Sequence, residues 1–236
     1  MFSTQEVIRY SKQIIAENVG AEGQQRLKKT KVLVIGAGGL GCPVLQYLNA
    51  VGIGTLGIAE SDTVEASNLH RQILYSPGDI GKKKGVVALE RLSVQNPYTE
   101  LLHYDLKVDQ DNAPTLVAGY DIIVDGCDNF ATRYAVNDAC VAGGRPLVYG
   151  SILGYQGQVS VFNRNGSKQL RDVFPEPPDP GDVPSCSDNG VMGTVPGIVG
   201  LIMAQAVIQI SLGEKSFENR FILFDTRTME RTVLEF

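Results

Sequence analysis

The chain has 236 residues, 43% hydrophobic and 20% charged, enough for one large α/β domain or two small ones with a substantial core. Its net charge of −5 disfavours nucleic acid as the main partner, because phosphate binding calls for a basic surface. Cys42, Cys127, Cys140 and Cys186 form no C-x-x-C pair, which argues against a disulfide scaffold.

The polar start, Met1 to Glu6, carries no secretory signal, so the expected compartment is the cytoplasm. Ser3 and Glu6 read as a capping box, and Val7, Tyr10 and Ile14 follow at helical spacing, which predicts a helix over residues 4–18. Strands are expected at 31–35, 55–60, 101–104, 121–124 and 146–149. Helices are expected at 40–51, 81–95, 112–118 and 130–142, with Cys42 and Cys140 packed in two of them. Short apolar strands alternating with helices predict a Rossmann-like, doubly wound, mainly parallel α/β sheet. Beyond residue 150 the pattern turns to antiparallel strands at 156–162, 221–225 and 232–236, extending the same sheet, so 1–236 reads as a single nucleotide-binding domain. Residues 163–190, with five prolines, read as a long crossover loop, and loops of that length are usually functional or mobile. Val191 to Leu212 has no charged residue and the length of a membrane span. Its glycines, Pro196, Gln205 and Gln209 favour a buried helix instead, with no membrane partner.

Gly36-Ala37-Gly38-Gly39-Leu40-Gly41 follows the first strand and opens a helix, the setting of a G-x-G-x-x-G loop. Gly36, Gly38, Gly39 and Gly41 permit a tight turn and close approach of phosphates to backbone N–H groups. Glu60, 19 residues after Gly41 and at the end of the next strand, stands where a ribose-binding carboxylate belongs. These features alone fit ATP and NAD equally. Ser67-Asn68-Leu69-His70-Arg71-Gln72 and the run Lys82-Lys83-Lys84 favour a triphosphate, whose departing pyrophosphate needs cations such as Arg71 and Lys84. As a plain lysine run, the same residues also fit a solvated helix start. Asp125-Gly126-Cys127-Asp128-Asn129 ends the fourth parallel strand, where ligands bind in such sheets. Asp128 is a candidate ligand for Mg²⁺ and Asn129 for a helix cap, two compatible roles.

On these motifs, together with Arg9-Tyr10-Ser11-Lys12-Gln13, Phe174-Pro175-Glu176-Pro177-Pro178 and Val183-Pro184-Ser185-Cys186, the chain resembles the ThiF/MoeB/HesA family, bacterial relatives of ubiquitin-activating enzymes. The resemblance covers nearly the whole chain. It implies ATP-dependent adenylylation of the C-terminal Gly-Gly carboxylate of a ubiquitin-like sulfur-carrier protein, in thiamine or molybdopterin biosynthesis. By that resemblance Gly39 and Gly41 lie against the phosphates and Glu60 holds the ribose. Ser67 and Asn129 flank the nucleotide; Asn68, Arg71 and Lys84 contact the phosphates and reacting centre, and Asp128 binds Mg²⁺. It implies a homodimer in which an Arg of the R-Y-x-R-Q motif reaches the neighbouring site in trans. Here that residue is Lys12, which keeps the charge but not the bidentate fork. Cys186 matches a cysteine that in some members binds the carrier covalently; an incidental cysteine is the other reading. The family's structural zinc needs two C-x-x-C pairs. Gln169 and Asp172 occupy the first pair's positions and the second would fall beyond Phe236, so no structural zinc is expected. With no rhodanese-like segment, a separate sulfur donor is expected. Other readings are the same fold acting on a peptide or tRNA, a non-catalytic scaffold, and an NAD-dependent oxidoreductase. The last lacks an evident proton donor, since His70 and His103 have no obvious partners.

Overall fold

Aliphatic runs, buried on both faces in all but the edge strand Glu100–Tyr104, become the parallel half of one sheet in this computed structural model, which describes residues 2–179 and 190–236. These strands are β1 (Lys31–Ile35), β2 (Thr55–Ala59), β3 (Glu100–Tyr104), β4 (Ile122–Asp125) and β5 (Leu147–Leu153). The antiparallel strands β6 (Gln156–Phe162), β7 (Arg220–Asp225) and β8 (Glu230–Glu235) complete an eight-stranded sheet of order β3-β2-β1-β4-β5-β6-β7-β8. The expected mixed architecture is therefore present, with most strand ends shifted by a residue or two; β5 runs four residues past its expected end, and the helix expected over 81–95 begins only at Lys84. Strand order reverses between β1 and β4, which run parallel with Ile35 beside Asp125. Their carboxyl ends open the crevice in which ligands bind to such sheets.

Alternate residues of β1 feed two cores, as the period of a strand requires. Val32 and Val34 join Leu45 and Leu48 of α3 (Gly41–Val51) and Val87 and Leu92 of α4 (Lys84–Gln95). Leu33 and Ile35 join Val117 of α5 (Ala113–Ala118) and Val136 and Cys140 of α6 (Phe130–Gly143). The long apolar segment forms α8 (Thr194–Leu212), after a short α7 (Leu170–Val173). By length and composition α8 could cross a membrane. Here Val199, Met203, Ala206 and Val207 enter the first core, while Leu201 and Gln205 remain exposed.

Two expectations need correction. The N-terminal helix does not run to residue 18: α1 spans Thr4–Ile14, with the expected Ser3–Glu6 capping box. Asn18 and Gly20 adopt left-handed φ of 66° and 62°, and the chain turns there. A second helix, α2 (Gly20–Lys29), follows. It has Leu27 as its one large aliphatic residue, too little apolar periodicity to announce itself. The crossover segment is also not wholly irregular, since α7 lies within it.

Candidate active site

The glycine loop is shaped by two backbone approaches. Gly36 sits at φ +86° against the Gly126 carbonyl, and a Cβ at Gly41 would lie 2.0 Å from the Gly36 oxygen. A side chain at Gly41 would therefore clash inside the loop, and one at Gly36 would crowd the backbone that follows β4. The loop leads into α3, where Cys42 N already donates to Gly38 O at 2.9 Å and Pro43 has no N–H, so it is the loop's own backbone N–H groups before the helix that suit an anion. Glu60 lies just past β2 and is 8% exposed. Its carboxylate accepts from Ala37 N at 2.9 Å and Asp62 N at 2.8 Å. Before any ribose contact, then, Glu60 fastens the glycine loop to the next segment.

One turn buttresses that loop residue by residue. Asn68 O accepts from the N–H groups of Arg71 and Gln72 at 3.1 and 2.9 Å. Tyr75 OH donates to Ala37 O at 2.8 Å, and the Gln72 amide lies 3.7 Å from where a Gly38 Cβ would be. Arg71 Cδ stands the same 3.7 Å from a Gly39 Cβ position. Arg71 Nη2 donates to Asn68 Oδ1 at 2.8 Å and Nη1 to Ser67 O at 3.2 Å, so the guanidinium is aimed before a ligand arrives. Ser67 is exposed, with its hydroxyl 3.4 Å from Glu65.

The lysine run divides by burial. Lys82 pairs with Asp79 and Lys83 with Asp105, both on the outside. Lys84 is 4% exposed and points its Nζ to Asp62 Oδ2 at 3.2 Å. The solvated-face reading thus fits the first two, and the site reading fits Lys84.

At the end of β4, Asp125 is wholly buried and its carboxylate accepts from Cys127 N at 3.0 Å and Arg133 Nε at 2.8 Å. Asp128 is exposed, and Asn129 caps α6 by accepting from Thr132 N at 2.9 Å. No cluster of three His, Cys, Asp or Glu residues suited to a metal occurs among the described residues. A lone carboxylate beside an anion site still fits Mg²⁺, which is usually held by one or two carboxylates together with substrate phosphates.

Burial raises all three described thiols: Cys42 to about 12, and Cys127 and Cys140 well upward. None is a thiolate near neutral pH. Cys186 lies outside the described residues.

Lys12 is the one described residue expected at the site that the fold does not bring to this end. Its helix packs at the far ends of α3 and α4, where Arg9 donates to Gln95 O at 2.7 Å and Gln13 to Val51 O at 3.0 Å. The 11-residue α3 separates it from the glycine loop by about 16 Å of helix.

At the positions expected for zinc cysteines, Gln169 and Asp172 form a capping box at the start of α7. Asn137 bonds Gln169 Oε1 and Leu170 N at 3.1 Å each, and Arg171 forks onto Asp138 at 2.7 Å. Tyr134 OH contacts the carbonyls of Phe174 and Glu176 at 3.0 and 2.8 Å. An amide and a carboxylate already used in a helix cap do not make a thiolate zinc site.

A model of the ThiF family matches residues 10–236. The chain belongs to the ThiF family. It is 46% identical over 230 residues to a sulfur carrier protein adenylyltransferase of Thermus thermophilus, covering 95% of this chain and 85% of that protein. It is 45% identical over 224 residues to the adenylyltransferase and sulfurtransferase MOCS3 of Mus musculus, covering 94% of this chain. Of that second relative the chain spans 49% of the length. A crystal structure of E. coli MccB matches the fold with a TM-score of 0.83 at 21% identity, over 99% of this chain and 71% of that one.

In this ThiF-family chain, Arg133, Tyr75 and Asp62 join the site without having been singled out from sequence. Arg133 lies eight residues past Asp125 in an ordinary helix, and only the fold shows that its side chain turns back under the strand end. Tyr75 carries no local signal at all. Asp62, two residues past Glu60, offered only its charge.

Proposed function

We propose that this protein transfers AMP from ATP to the C-terminal Gly-Gly carboxylate of a ubiquitin-like sulfur-carrier protein, releasing pyrophosphate. The observation that carries the reading is the gathering of the glycine loop, Arg71, Lys84 and Asp128 at the carboxyl ends of β1, β2 and β4, in a chain 46% identical to a named sulfur carrier protein adenylyltransferase. A terminal carboxyl has an ordinary pKa of about 3.5 and is ionised at neutral pH, so the attack needs no general base. The barrier is repulsion between that carboxylate and the α-phosphate, plus charge on the leaving pyrophosphate. Arg71, pre-aimed by Asn68, and the buried Lys84 suit both tasks by electrostatics and positioning. Mg²⁺ held by Asp128 would supply further charge neutralisation on the phosphates. Backbone N–H groups of the glycine loop before α3 are suited to the phosphates, and Glu60 to the ribose.

In this reading residues 1–236 act as one cytoplasmic unit without structural zinc, and a separate donor supplies sulfur. The position of Lys12, far from its own glycine loop, favours a homodimer in which it serves the neighbouring site. Cys186 is the candidate for a covalent carrier bond.

Pyrophosphate exchange into ATP tests the proposal. With Mg²⁺ and a carrier ending in Gly-Gly, exchange is expected; with the terminal glycine removed, it is not. Exchange driven equally by a truncated tail, a peptide or tRNA would overturn the carrier assignment. NADH oxidation without ATP turnover would point to an oxidoreductase. Against that alternative, His103 is engaged with Glu60 O at 2.9 Å and packs over Gly85.

A further inference from the structure

We propose that Asp62 is a placeholder for the triphosphate: in the free protein its carboxylate neutralises Lys84, and nucleotide phosphates take that lysine over on binding. The inference rests on the ATP reading above.

Asp62 grips Lys84 twice. Its backbone oxygen accepts from Lys84 N at 2.9 Å, and its carboxylate accepts from Lys84 Nζ at 3.2 Å. Asp62 N donates to Glu60 Oε1 at 2.8 Å, and Glu60 Oε2 accepts from Ala37 N at 2.9 Å. One run of hydrogen bonds therefore joins the glycine loop, the candidate ribose carboxylate and the candidate phosphate lysine.

The two partners differ sharply in exposure. The Lys84 side chain is 6% exposed and that of Asp62 is 69% exposed. A buried ammonium without a counter-charge is costly, so the free protein needs an anion there. Glu60 is instead held toward the glycine loop and the backbone of Asp62, each of its oxygens accepting a backbone N–H. Asp62 supplies the charge from a side chain that can swing into water with little desolvation to reverse. A triphosphate carries about four negative charges and outcompetes one carboxylate for the lysine. When pyrophosphate departs, Asp62 recaptures Lys84 and opposes rebinding.

The test compares Asp62→Asn with the unaltered protein by calorimetry and thermal unfolding, using Mg²⁺ with a non-hydrolysable ATP analogue and no carrier. An exposed Asp-to-Asn change retains volume and the backbone grip, so the fold is retained. Losing one charge-assisted hydrogen bond from the free state alone should tighten analogue binding on the order of tenfold. The melting temperature should fall without ligand and not with saturating analogue. In a Lys84→Met background the same substitution should leave the affinity nearly unchanged. Weaker binding in Asp62→Asn would make Asp62 a ligand and overturn the inference. So would equal tightening in both backgrounds, which marks general repulsion, or equal melting losses with and without analogue, which marks a structural role. Failure of the unaltered protein to bind the analogue would overturn the ATP reading itself, and this inference with it.

Discussion

Arg133 donates through Nε to Asp125 Oδ2 at 2.8 Å, where the carboxylate is shut off from solvent. Its Nη2 also donates to the carbonyls of Cys127 and Gly150 at 3.0 Å each, and Nη1 to Tyr149 OH at 3.2 Å. One side chain thus fixes the carbonyl immediately before Asp128 and ties β4 to β5. Desolvation is the largest single effect and opposes the guanidinium charge, but Asp125 together with Tyr149 and Cys127 outweighs it and raises the Arg133 pKa. Removing one partner of such a buried pair leaves the other uncompensated.

Arg133→Ala is expected to lower the unfolding free energy by roughly 3–5 kcal/mol, read from urea denaturation. Arg133→Lys should fall between, retaining charge without the fork. A loss under about 1 kcal/mol in the alanine variant would mean the strand end holds its shape without the arginine.

Asp128→Asn touches an exposed side chain, so stability should change by no more than about 0.5 kcal/mol. Carrier-dependent pyrophosphate exchange should drop roughly 100-fold or more, as for loss of a pre-placed electrostatic group. Unaltered exchange in the variant would leave Asp128 with no part in the chemistry.

Because Lys12 lies at the opposite end of its own α3, Lys12→Ala should reduce exchange only through a neighbouring subunit. Mixing it with Asp128→Asn, each impaired alone, should restore part of the activity as heterodimers form. If subunits demonstrably exchange and no activity returns, the site is not shared.

The capping box at Gln169 and Asp172 leads to the expectation of far less than one zinc per chain by elemental analysis of untagged protein. Strong chelators, with Mg²⁺ in excess, should change neither melting temperature nor exchange rate. Stoichiometric zinc whose removal lowers the melting temperature would contradict this.

Asp79 gives a pH prediction. The Ser76 hydroxyl foremost, then its backbone N–H, with Lys82 and Arg91, holds the Asp79 carboxyl down to about 2, against burial that pushes it up. An unfolded Asp titrates near ~3.9. The folded pKa is the lower, so the stabilisation is complete above about pH 4 and disappears as pH falls toward 2. Urea midpoints of the unaltered protein and Asp79→Asn should therefore differ at neutral pH and converge over that interval. A constant gap down to pH 2 would show that the charge of Asp79 is not what stabilises the segment after Asn68.

The parallel half of the fold was legible because its inner strands are buried on both faces, leaving aliphatic runs between helical periods. The glycine loop and Asn129 cap were legible because a backbone conformation or an orphan N–H demands a particular residue type locally. Arg71, Lys84 and Asp128 were legible from their place beside the glycine loop or at a strand's carboxyl end, and the resemblance to a family sharpened their roles, whereas composition alone leaves them as surface charges. The end of α1, the existence of α2 and the division of Lys82–Lys84 were not legible. A left-handed turn at Asn18, a mostly polar helix and the direction of each lysine depend on what packs against them. Asp62 on Lys84, Tyr75 on Ala37 and Arg133 on Asp125 depend wholly on tertiary structure. Each joins separate elements at the reversal of strand order, and the strength of a buried charge or hydrogen bond is set by the partner that the fold brings to it.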